Sequence, residues 1–127
     1  MKPFFIKCLG QRIRVIVSEE LTMDGEGHTV FGMADYPNRR ILLSPQASLV
    51  DLNNTFIHEF THWFNFLALP PTPQQEPMPL DEEGRACYVG NIIGTLLREN
   101  GIDIFERLYS SFYVSKKKIE EKQSDLS

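Results

Sequence analysis

Cysteine is scarce in this chain: Cys8 and Cys87 are the only two among 127 residues. They form no C-x-x-C pair, which argues against a thiolate metal site or a dithiol redox motif, and two thiols without a framework suit a reducing compartment. Long apolar runs are also missing. Nothing approaches the roughly 18 apolar residues of a membrane span, and "MKPFFIKCLGQRIRV" lacks the apolar core and small-residue cleavage site of a signal peptide. The expectation is a cytoplasmic protein that does not contact membrane. Nor is positive charge in excess: 13 Lys and Arg face 17 Asp and Glu, for a formal net charge of -4. No nucleic-acid partner is expected on that balance.

What the chain does have is ordinary globular material, 42% hydrophobic and 24% charged, at a length that suits one domain. "RIRVIV" alternates Arg12 and Arg14 with Ile13, Val15 and Val17, the period of a half-buried strand. "TMDGEGH" then reads as a turn or loop. "HTVFGMADY" and "RRILLS" are short β-like runs on either side of a Pro-Asn turn. "PFFIKCL" reads as a further strand or an irregular lead-in. Together these predict a small, mainly antiparallel sheet of three or four strands.

At Ser44-Pro45 the pattern becomes helical, since Ser caps a helix and Pro is tolerated at its first position. Leu49, Leu52, Phe56, Ile57, Phe60, Trp63, Phe64 and Leu67 continue it at helical spacing. Five prolines in residues 70–79 predict an exposed loop. A second helix is expected over 80–100, with Asp81 as N-cap and Asn100-Gly101 as the stop, and a third over 102–113. Residues 1–114 are read as one α+β domain and 115–127 as a charged, flexible tail.

Within the first helix stands "HEFTH". Residues four apart share a helix face with Cβ atoms roughly 6 Å apart, so His58 and His62 converge and can hold one Zn²⁺ per chain. Glu59, about 100° further round, lies beside the metal, where it can act as the general base of an H-E-x-x-H site. Two histidines and a glutamate in an apolar helix are costly without a partner, which weighs against satisfied core histidines.

A catalytic zinc site has three protein ligands and an open position. His28 is the one remaining histidine, so the third ligand is His28 or a carboxylate. Glu83 is the first choice, because Ala86, Cys87, Gly90 and Gly94 continue its face and small residues would let that helix approach the first. Glu82, heading the bulkier stripe of Ala86, Val89, Ile93 and Leu96, is the fallback. The competing account has Asp81, Glu82 and Glu83 merely complementing the helix dipole. His28, Tyr36 and Tyr88 are candidate substrate or oxyanion contacts.

"HEFTH", followed by "EGRACYVG" about twenty residues later, resembles the small gluzincin-type zinc metallopeptidases of the ImmA/IrrE kind and their phage or mobile-element relatives. The resemblance spans roughly residues 12–100. It implies a minimal zincin-like fold, a small sheet packed on an active-site helix and a second, ligand-bearing helix. By position it implies His58, His62 and Glu83 as ligands, Glu59 as general base and a protein or peptide substrate. It also implies that "MADYPNRRILLS" supplies a strand beside the substrate cleft, against which an extended peptide would pair. Cys87 departs from the Asn common at its position in that family. No appended DNA-binding or sensor domain is seen, and the sequence does not fix the oligomeric state.

Two other readings compete. One is a zincin-like protein that binds a partner without hydrolysis; an intact Glu59 argues for the enzyme, because zinc binding alone has no need of it. The other is a structural zinc site, which requires His28, Asp81 or Glu82 to close a fourth position.

Overall fold

The computed structural model describes residues 4–18, 31–68 and 81–125, the last three by backbone alone. Four strands, β1 (Phe4–Cys8), β2 (Gln11–Val17), β3 (Gly32–Asp35) and β4 (Arg40–Leu43), precede three helices, α1 (Leu49–Ala68), α2 (Glu82–Asn100) and α3 (Ile104–Asp125). The fold is α+β. The "TMDGEGH" loop and the proline-rich loop expected at 70–79 lie outside the described residues.

The sheet order is β1-β2-β4-β3. β1 with β2 and β3 with β4 are antiparallel hairpins, and the central β2–β4 pairing is parallel. The sheet is therefore mixed. "PFFIKCL" does supply a strand, joined to β2 by a two-residue turn in which Leu9 (φ 50) and Gly10 (φ 80) are both left-handed. Such turns match the twist of the flanking strands but favour Asn or Gly at the first position. Glu99 of α2 secures this one, its carboxylate accepting from the backbone N–H of Leu9 and of Gly10 at 2.7 Å each.

Alternation sends Ile6, Cys8, Ile13, Val15, Val17, Ile41 and Leu43 to one face, where all are buried. α1 packs there against β3 and β4, α2 against β1, and α3 against β2. Each fully buried large side chain, Phe56 and Phe60 among them, contributes roughly 1.5–3 kcal/mol by leaving water. On the outer face the Arg12 guanidinium lies 3.8 Å from the Phe5 ring centroid.

The two sheet edges differ. On β1, Asn100 accepts from the N–H of Lys7 at 2.6 Å and donates to its carbonyl at 2.8 Å, as a neighbouring strand would. Arg107 donates to the Phe5 carbonyl at 3.4 Å. On β3, the Ser44 N–H donates to the Phe31 carbonyl at 2.8 Å, which makes Phe31–Ser44 a hydrogen-bonded pair. Bonded pairs alternate along an antiparallel ladder, so the backbone groups of Gly32 and Ala34 point away from β4.

Two helix boundaries differ from expectation. α1 begins at Leu49, not at Ser44-Pro45: Ser44 still belongs to the sheet through its bond to Phe31, and Ser48 is the cap, its Oγ accepting from Asp51 N–H at 3.2 Å. α3 runs on through the segment read as a tail. Ile104, Leu108, Phe112 and Ser115 form one buried stripe that carries the helix forward, and the Lys, Glu and Gln that follow are good helix formers. α2 keeps its expected ends: Asp81 Oδ1 accepts from Gly84 N–H at 2.7 Å, and Gly101 (φ 86) donates to the Leu97 carbonyl at 2.8 Å.

Candidate metal centre

α1 buries Leu52, Phe56, Glu59, Phe60 and Trp63, a stripe at helical spacing that contains one carboxylate. His58 and His62 lie on the adjoining, exposed face. Their Nε2 atoms are 3.0 Å apart, and His58 Nε2 is 3.9 Å from Glu59 Oε1. Two ligands at about 2.0 Å on a tetrahedral centre stand roughly 3.3 Å apart, so the two imidazoles are already near that bite. His58, Glu59 and His62 form a group able to hold a metal ion, with ligand atoms all within 4.8 Å of one another.

Glu59 is 6% exposed. Burial raises its pKa above the usual carboxylate value, while His58, His62 and the Ala34 backbone N–H pull it back down. That amide is one of the outward-pointing groups of β3, so the edge strand and the carboxylate meet directly. Gly32 allows the approach: a Cβ there would collide with Thr55 Cγ2 and stand 3.2 Å from Glu59 Cγ. Phe31, Gly32, Asn54, Thr55, His58 and Glu59 line a cleft of about 310 Å³. A larger hollow, about 470 Å³, lies between Phe4 and α3, but neither His nor Cys lines it.

The third-ligand candidates are placed differently. Glu82 and Glu83 are exposed in the first turn of α2 and stand outside the His58–Glu59–His62 group. Glu83 Oε1 lies 4.0 Å from Cys87 Sγ. The stripe of Ala86, Cys87 and Gly90, expected to pack on α1, faces outward, and a methyl on Gly90 would meet nothing within 4 Å. Tyr88, Ile92, Thr95 and Leu96 turn inward instead, because that face buries more apolar area. Asp81 is accounted for as the α2 cap.

Tyr88 donates its hydroxyl to the Asn65 side-chain carbonyl and packs edge-on against Phe64. Asn65 follows His58 and His62 on one stripe of α1, so this bond ties α2 to the histidine-bearing face. Tyr36, in the β3–β4 turn, is near enough to Glu59 for that charge, added to burial, to raise its pKa. His28 lies outside the described residues.

Sequence reasoning missed Gly32, Ala34, Asn54 and Thr55. An isolated glycine inside a strand pattern marks close backbone approach, and Gly32 carried that signal.

No family profile, curated protein or solved structure matches this chain. No helix among the described residues is long and apolar enough to cross a membrane.

Proposed function

We propose that the chain is a zinc-dependent peptidase of minimal zincin-like architecture. The observation that carries this reading is the convergence of the His58 and His62 imidazoles beside a buried glutamate, at a cleft walled by an open strand edge. The donor set fits a divalent metal: two imidazole nitrogens point at one another on an exposed face, with room for further ligands. His58 and His62 would hold it. Glu83 is the third ligand that the family resemblance implies, with Glu82 as the alternative; either would have to move to the site, since both stand outside the His58–Glu59–His62 group. A metal held there supplies Lewis acidity toward a carbonyl group and toward water.

The chain's own groups do the rest. Glu59, with its pKa raised by burial, is suited to accept a proton from the attacking water and return it to the leaving amine. An extended peptide pairing with the outward groups of Gly32 and with the Ala34 carbonyl would lie across Glu59, which itself holds the Ala34 amide. Tyr36, held protonated beside the cleft, is a donor candidate for developing negative charge. The exposure of both histidines favours an open, catalytic site over a closed structural one.

The test pairs metal content, by plasma mass spectrometry, with cleavage of a peptide library. Wild type is expected to hold one zinc, lost in His58→Ala and weakened in Glu83→Gln but not in Glu82→Gln. Glu59→Gln is expected to keep the metal and lose cleavage by about 10²–10⁴-fold. A wild type that takes up no metal when zinc is supplied would sink the proposal. Metal without cleavage would leave peptide binding as the function.

A further inference from the structure

Past Glu59, beyond the residues that line the cleft, α1 and the β3–β4 turn bring three aromatic rings together. Tyr36 stacks on Phe66 with centroids 4.3 Å apart and planes 16° from parallel. Trp63 meets both edge-on, at 5.0 Å from Tyr36 and 5.8 Å from Phe66. Trp63 is core, 3% exposed, and donates its indole N–H to the Arg40 carbonyl at 3.3 Å. Phe66 is 56% exposed. Packing therefore holds these rings in place while leaving an apolar face in water, where a ligand side chain would gain most.

The two walls of the cleft run in step. Glu59, Trp63 and Phe66 are spaced i, i+4 and i+7 on α1, one stripe of the helix. Gly32, Ala34 and Tyr36 take every second position of the strand and its first turn residue, one side of the chain. Gly32 meets Thr55 and Glu59, and Tyr36 meets Trp63 and Phe66, so the aromatic rings lie about 7 Å past Ala34 along the same strand and helix that wall the cleft.

We propose that the Tyr36–Phe66 platform is a specificity subsite, which takes an aromatic or large aliphatic side chain of an extended peptide paired along β3. The inference rests on the reading of this cleft as a peptide site and names the class of peptide it selects. The occupant follows from the open edge. A guest strand bonded to Gly32 and to the Ala34 carbonyl projects every second side chain toward α1, and the one lying two residues from Glu59 falls on the platform. β3 and α1 run in the same sense past each other, so a guest antiparallel to β3 places that residue on the amino-terminal side of the segment facing Glu59.

Trp63 is the chain's single tryptophan, so its emission reports directly on the platform. The experiment titrates full-length Glu59→Gln protein, with zinc present, with capped hexapeptides of Ala and Thr. Each peptide carries one Phe, Leu, Ala or Glu, walked along the sequence. Phe and Leu at one position are expected to shift Trp63 emission and bind up to about tenfold more tightly than Ala. Phe66→Ala should erase that preference, while Tyr113→Ala, which removes an equally exposed ring on α3, should leave it. Equal binding of the Phe and Ala peptides at every position, a preference that survives Phe66→Ala, or no peptide binding overturns the proposal. Cleavage by wild type separates the two readings. Preference without cleavage keeps the subsite and removes the peptidase, and cleavage without preference does the reverse.

Discussion

Gly32 of β3 and Thr55 of α1 are in contact so close that no side chain fits between them. The helix can approach the edge strand, and Glu59 can reach the Ala34 amide, only because residue 32 lacks a Cβ. Gly32→Ala is expected to cost about 1–3 kcal/mol by overpacking and to displace Glu59 from the strand. Urea denaturation reads the cost. Adding Thr55→Ala should recover part of it, and a single mutant as stable as wild type would contradict the contact.

The buried Glu59 makes stability depend on pH with a definite sign. Its native pKa lies above that of the unfolded chain, so the native state holds the proton more tightly. Stability therefore falls as pH rises from the ordinary carboxylate value through the raised one, and the full penalty remains above it. Metal-free Glu59→Gln is expected to melt higher than metal-free wild type at pH 7. The advantage should shrink as pH is lowered through that window; thermal melts across pH 4 to 8, on the order of a unit apart, would show it.

The two thiols should behave oppositely. Cys8 is buried, and burial, with the charge of Glu99 behind it, pushes its pKa up to about 12. Cys87 is exposed. One equivalent of a thiol reagent is expected to react with the native chain near pH 8 and two with the unfolded chain, as intact mass would record. Between the ordinary thiol value of 9.0 and about 12 the unfolded chain releases a proton that the native state keeps. Stability should fall there as pH rises.

Leu9 holds a left-handed conformation at φ 50, which costs a residue with a branched side chain roughly 1 kcal/mol. It is also partly exposed, so its side chain contributes little packing in return. Leu9→Asn is expected to stabilise the chain by up to about 1 kcal/mol, seen as a higher denaturation midpoint.

The legible parts of this molecule were those written in a local period. The 3.6-residue repeat placed His58 and His62 on one face of α1, and the Pro-Asn turn paired β3 with β4. Capping chemistry marked both ends of α2. Contacts between distant segments left no such trace. The parallel β2–β4 pairing depends on a crossover, and Asn100 acts as a surrogate strand for Lys7 across 93 positions. The orientation of α2 shows the limit best. The small residues following Glu83 suggested a close helix pair, but Tyr88, Ile92 and Leu96 had more apolar area to bury and turned the helix the other way. α3 extended for a similar reason: a stripe from Ile104 to Ser115 decided a segment whose charge alone suggested a tail.

The unequal sheet edges set how copies of this protein can join. At the β1 end Asn100 engages both backbone groups of Lys7, Glu99 the Leu9 amide and Arg107 the Phe5 carbonyl, so strand addition there would have to displace side chains of α2 and α3. Among the described residues the β3 side is the more open: Glu59 holds the Ala34 amide, which leaves the outward groups of Gly32 and the Ala34 carbonyl for a partner. Two molecules meeting β3 to β3 would consume the more open edge that each presents among the described residues. Growth by this route favours a pair over a fibre. The same pairing would occupy the groups that receive a peptide, so self-association and substrate would exclude one another.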